Sequence, residues 1–227
     1  NNEESNLLSQ TNNITIKRNS FNITHMREFS SMWIFEQFFR YGNYSRNKKN
    51  SDIDGTLVSN DLTKENESEL ELCAIYNNGN TTMNVGSELI YYNYIGDRIN
   101  DNKKSLESIS LYSQLDITPF ENWNFVIGVR SDNNSQLKPV YNPRIAAMYS
   151  YKKRWKFRGM WGQGFRMPTS QELFFEWFHN LGGGTGYKVI GNPDLEPETS
   201  NGNTIGFEYY HPSIYRVSLM FYSTIFF

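Results

Sequence analysis

The protein has 227 residues, 38% hydrophobic and 16% aromatic, with a formal net charge of −2. The charge offers no basic surface for nucleic acid, and the one cysteine, Cys73, leaves no intramolecular disulfide and no cysteine-rich metal site. A mean hydropathy of −0.64 would suit a disordered chain, but disordered chains are poor in aromatics, and no apolar run reaches the ~18 residues of a transmembrane helix. The histidines, His25, His179 and His211, are too widely spaced for a metal motif. The start, Asn1-Asn2-Glu3-Glu4, has neither the basic nor the apolar region of a signal peptide.

In chain order, the apolar residues recur with a period of two. A poorly patterned strand is expected around Ile14–Thr24. Weak alternation runs through Trp33–Tyr41, Leu70–Tyr76 and Met83–Ile95. It then becomes strict. Ile109, Leu111, Leu115 and Ile117 alternate with Ser110, Tyr112, Gln114 and Asp116. Trp123, Phe125, Ile127 and Val129 follow, then Ile145, Ala147, Tyr149 and Tyr151. Trp155, Phe157, Gly159 and Trp161 oppose Lys156, Arg158, Met160, Gly162 and Gly164. The last two segments centre on Ile205, Phe207 and Tyr209, and on Val217, Leu219 and Phe221. Each reads as a strand with one greasy and one polar face.

Short turns are expected at Asn77–Thr81, Thr118–Asn122, Lys152–Arg154 and His211–Ile214. Long polar loops are expected at Arg46–Ser68, Gly96–Glu107, Ser131–Tyr141 and Met167–Asn203. Short and long connections alternate, so all long ones leave the same end of the sheet. A β-sandwich has no reason to do this. An antiparallel transmembrane β-barrel does, with short periplasmic turns and long extracellular loops. The greasy face then meets outer-membrane lipid, and the polar face lines the lumen. Glu69, Glu71, Glu88 and Asp116 read as lumen-facing acids without the context of a catalytic set.

The most specific stretch joins two boxes. Gly162-Gln163-Gly164-Phe165-Arg166-Met167-Pro168 ends one strand, and Asn192-Pro193-Asp194-Leu195 precedes the next. This order resembles the barrel of TonB-dependent outer-membrane receptors, which carry a Phe-Arg-Ala-Pro box and an Asn-Pro-Asp/Asn-Leu box around one extracellular loop. Met167 stands where the family has Ala. Phe165, Arg166, Pro168, Asn192, Pro193, Asp194 and Leu195 are therefore expected to be structural. Proline removes backbone donors where pairing must stop, and Asn-Pro-Asp favours a turn.

The loop between the boxes holds Phe174, Phe175, Trp177, Phe178, His179 and Tyr187. Apolar aromatics in an extracellular loop need burial, in the loop itself or on a ligand. Trp177, Phe178, His179 and Tyr187 are the candidate ligand-binding residues. His179 fits two roles, an axial ligand to haem iron or a loop-packing histidine. The segment Gln171–Phe178 is also compatible with one helical turn on the rim. The run Gly182–Gly186 lacks the Gly-Lys-Ser/Thr ending of a phosphate loop.

The resemblance implies an all-β, partial barrel over residues 1–227. It would hold about nine or ten of the 22 strands of that family, with the plug domain and the C-terminal strands absent. It implies no enzyme and no resident cofactor. It implies a receptor in the outer membrane of a Gram-negative bacterium that imports a scarce small molecule. Haem or a ferric siderophore leads, with cobalamin behind. The energy would come from the TonB complex, through a region missing here. Two other classes stay open: a passive porin, and a secreted β-rich adhesion or binding protein.

Overall fold

The computed structural model describes residues 11–152, 154–182, 185–211 and 216–226. Eight strands follow one another as a meander: β1 (Thr11–Glu28), β2 (Trp33–Ser51), β3 (Leu57–Asn77), β4 (Thr81–Gly96), β5 (Lys103–Phe120), β6 (Trp123–Asn134), β7 (Leu137–Tyr151) and β8 (Trp155–Arg166). An excursion then carries a short helix, α1 (Ser170–Phe174), and a hairpin of β9 (Glu176–Gly182) and β10 (Thr185–Ile190). The chain returns as β11 (Glu198–Tyr210) beside β8, and β12 (Arg216–Phe226) closes the order. The result is one ten-stranded antiparallel sheet whose edges, β1 and β12, are not paired with each other. The weakly patterned first segment is a full strand, 18 residues long.

Alternation assigns the faces. Opposite partners share a face, so the register carries one parity across the whole sheet. The outward set includes Phe39, Leu70, Leu89, Ile109, Ile127, Ile145, Phe157, Ile205 and Phe221. Much of it is exposed in this chain, as a surface meant for lipid must be. At the short-turn end, aromatic partners face each other on this side. Trp33 meets Tyr76 at 5.1 Å between ring centroids, Trp123 meets Tyr149 at 4.8 Å, and Trp155 meets Tyr209 at 4.3 Å. Tyr41, Tyr91 and Tyr141 stand about eight residues farther along, roughly 26 Å by strand rise. That is the scale of the apolar band, about 25 Å tall, between the aromatic girdles of outer-membrane barrels.

The inward face is polar and laced with ion pairs. Arg130 joins three strands by reaching Glu88 on β4, Ser110 on β5 at 2.9 Å and Asp132 on its own strand at 2.8 Å. Arg158 pairs with Glu208, and Arg40 with Glu67 and with Glu69 at 2.8 Å. Tyr112 donates to Glu71, and Asn124 to Asp116 at 2.6 Å. The acids expected in the lumen therefore all lie there, each engaged with a partner. The inward space over Gly162 is filled by Arg144, whose Cβ would lie 3.3 Å from an added methyl.

The long connections stand at the expected end, but three of them are mostly strand. Their tips shrink to residues 52–56, 97–102 and 135–136. The segments Arg46–Ser68, Gly96–Glu107 and Ser131–Tyr141 extend the ladders beyond the membrane, and β3 reaches 21 residues where about 9–11 suffice to span it. Both faces are wet there, so alternation disappears while pairing continues. Polar pairs hold it: Asn43 donates to Asn66 at 2.6 Å, and Asn50 to Ser59 at 2.8 Å. Only residues 167–197 form a true excursion. The expected turn at His211–Ile214 falls largely outside the described residues.

Candidate functional site

The excursion begins at a charged staple. Arg166, the last residue of β8, donates to Glu172 at 3.1 Å with two nitrogens, and to Glu198 at 2.7 and 3.1 Å. Glu172 also completes a capping box. It accepts from the Thr169 backbone at 2.8 Å, while the Thr169 hydroxyl accepts from the Glu172 backbone at 3.2 Å. The Arg166 guanidinium, helped by Thr169, holds the Glu172 carboxyl down at about 2. Phe165 and Arg166 thus end one strand, and Pro168 follows where pairing stops.

The second box closes the same structure. The Gly191 backbone donates to Phe175 at 2.6 Å and the Asn192 backbone to Glu172 at 2.8 Å. Gly191 has no room for a side chain, because a Cβ would lie 2.7 Å from backbone atoms of Leu173 and Phe174. The Asn192 side chain accepts from the Asp194 backbone at 3.0 Å, and the Leu195 backbone donates to the Asn192 carbonyl at 3.3 Å. Asn192, Pro193, Asp194 and Leu195 thus form a tight turn into β11, whose first residue returns to Arg166.

Between these ends the loop crosses to the far side of β5, β6 and β7. The Glu176 backbone donates to the Arg98 carbonyl at 2.8 Å, and Phe175 bridges to Ile99. Lys104, on the inward face of β5, lies 5.3 Å from the Phe174 ring. Tyr94, Ile99, Ser170 and Leu173, in the segments that meet, are all buried. The excursion therefore docks on the lumen side and overhangs it.

The β9–β10 hairpin sorts the candidate ligand-binding residues. His179 pairs with Tyr187 and Trp177 with Val189, so Trp177, His179 and Tyr187 share one face. Their rings form a row, with Trp177 edge-on to His179 at 5.1 Å and His179 tilted against Tyr187 at 5.0 Å. Phe178 lies on the opposite face, over Gly186, and is exposed. Arg98 covers the Trp177 ring at 4.4 Å and pairs with Asp61 on β3. The Trp177 Nε1 donor is buried and meets no acceptor among the described residues. Arg98 lies far from this loop in sequence, within a segment of polar-loop composition, and no local pattern points to it. The Thr169-x-x-Glu172 pattern was a legible helix-start signal.

The family model described as "TonB dependent receptor-like, beta-barrel" matches residues 1–225. The chain belongs to this family. Two forms of the iron-regulated outer membrane virulence protein of Vibrio cholerae are each 21% identical over 195 residues, 81% of this chain and 26% of theirs. The siderophore receptor PirA from Acinetobacter baumannii superposes with a TM-score of 0.74 at 15% identity, over 94% of this chain and 35% of that one. A mutant of the ferric enterobactin receptor PfeA from Pseudomonas aeruginosa, in complex with enterobactin, gives 0.76 at 15%, again over 94% and 35%. The copper transporter OprC gives 0.69 at 13%, over 93% and 39%. The receptor barrel seen here thus spans about a quarter of the length of its Vibrio relatives and about a third of the first two solved structures. It is a wall of a Gram-negative outer-membrane barrel, with ten strands in the described sheet.

Proposed function

We propose that this barrel segment belongs to a receptor that captures a ferric carrier outside the cell and imports it with energy from TonB. The observation that carries the reading is the docked hairpin. Trp177, His179 and Tyr187 present one aromatic face, with Arg98 against it, on a loop that overhangs the lumen. Such a face suits an anionic chelate that carries aromatic rings. Its rings pack against the row, with the Arg98 guanidinium beside them. The siderophore receptors among the structural relatives favour a ferric siderophore as cargo. Arg166, Glu172 and Glu198 hold the loop in place and do not touch the cargo. No chemical step is required of the protein.

A second reading, haem, rests on His179, a half-buried imidazole within the same aromatic row. In the full-length receptor, expressed in a Gram-negative host lacking its own iron receptors, growth on a ferric catecholate siderophore as sole iron source is expected. Growth should be lost in Trp177→Ala. Growth on haem alone, with a Soret shift that disappears in His179→Ala, would transfer the assignment to haem. Growth on neither would overturn the iron-carrier reading.

A further inference from the structure

Beyond the tyrosine level, the outward strand positions of β1–β5 carry lysines and no acid. On β3 the acids Asp61, Glu65 and Glu67 share the inward parity, while Lys64 points outward. The register extends this outward position across five strands. Lys17 stands opposite Ser45, Ser45 opposite Lys64, Lys64 opposite Ile95, and Ile95 opposite Lys103. Three lysines therefore occupy one row on alternate strands, neighbours roughly 10 Å apart. All three are exposed, and none belongs to an ion pair among the described residues.

Their height on the wall is informative. The row lies about four residues, roughly 13 Å of strand, beyond the row that carries Tyr41 and Tyr91. Tyrosines at that level mark the boundary between acyl chains and headgroups. A groove of about 510 Å³ runs across the outward face just beneath, lined by Phe39, Leu70, Leu89, Tyr91, Ile109 and Glu107. Phe39, Leu70, Leu89 and Ile109 are themselves one registered row. Glu107 is the outward acid at the tyrosine level, opposite Tyr91 and four residues toward the membrane from Lys103.

We propose that this face binds a phosphorylated glycolipid of the outer leaflet, with its phosphates on Lys17, Lys64 and Lys103 and an acyl chain in the groove. Charge complementarity and the vertical order fix the occupant. Cations stand above the tyrosines, where an anionic headgroup attracts lysine. The apolar groove lies below, where a chain must pack. Glu107, between the two, accepts from the sugar hydroxyls. A protein partner would have no use for an acyl groove at membrane depth. The site lies on the opposite face of the wall from the hairpin and is independent of the iron carrier.

The test is a titration of the full-length receptor in detergent with bis-phosphorylated lipid A, read by native mass spectrometry. One tightly held lipid is expected on the native sequence. Binding should weaken tenfold or more in the K17Q/K64Q/K103Q variant and persist in K17R/K64R/K103R. Dephosphorylated lipid A and phosphatidylglycerol should bind the native sequence as weakly as bis-phosphorylated lipid A binds the glutamine variant. Heat-modifiable migration shows that each variant is folded. Equal binding by the glutamine variant, or equal binding of phosphatidylglycerol or dephosphorylated lipid A, would overturn the proposal.

Discussion

The wall and the docked loop of this barrel are held in opposite ways. The wall spreads its cohesion over nine registered ladders, with inward ion pairs such as Arg158–Glu208 and outward ring pairs such as Trp155–Tyr209 repeated from strand to strand. The loop depends on a few points: the Arg166 staple, the close approach at Gly191, and the contacts to Arg98 and Ile99. A wall built by repetition suits a fixed membrane span. A loop attached at few points can rearrange around a cargo at small cost, because only local contacts must break. Function on this reading sits where the structure is least redundant.

Four substitutions or conditions can break that contrast, all in the full-length receptor. Ile127 faces the apolar band, and an arginine there should destabilise the barrel by about 2–4 kcal/mol, seen as a lower urea midpoint in vesicles. Cargo affinity per folded molecule should not change. Arg130→Ala strips Glu88, Ser110 and Asp132 of their shared donor and should cost about 2 kcal/mol by the same titration. Arg130→Lys should recover part of this. Gly191→Ala should leave the urea midpoint in place and make residues 170–190 sensitive to protease, since the new Cβ meets backbone rather than a movable side chain. An equal midpoint shift for Gly191→Ala and Arg130→Ala would show that loop and wall are one unit.

The smallest effect concerns pH. The folded Glu172 carboxyl, held at about 2, lies below its ordinary value of 4.5, so its contribution to loop order is complete above 4.5 and fades as pH falls toward 2. Protease resistance of the loop should hold from pH 7 to 5 and decline below 4.5. Glu172→Gln should flatten that decline while the wall keeps its own acid response. A native loop that opens already between pH 7 and 5 would contradict the staple.

Sequence legibility divides along the same line. Where one face meets lipid, period-two alternation is imposed, and Trp123–Val129 or Trp155–Trp161 announce their strands and faces. Where both faces are wet, nothing enforces alternation. Arg46–Asn50 and Asn60–Asn66 therefore read as loop although they pair residue by residue. The box residues marked the ends of the excursion, and the capping pattern at Thr169 and Glu172 encoded α1 locally. The docking of Glu176 on Arg98 is a contact between distant segments of mixed composition, and no local pattern carries it. The lysine row is also distributed. Lys17, Lys64 and Lys103 become neighbours only through a register that passes through Ser45 and Ile95.

The most direct test of the division between wall and loop is equilibrium binding of a radiolabelled ferric catecholate siderophore to the full-length receptor. The native sequence is compared with Trp177→Ala/Tyr187→Ala and with Ile127→Ala. A loss of tenfold or more in the loop variant, with native affinity in the wall variant, is the predicted result. Equal affinities in all three would place cargo recognition elsewhere and contradict the account.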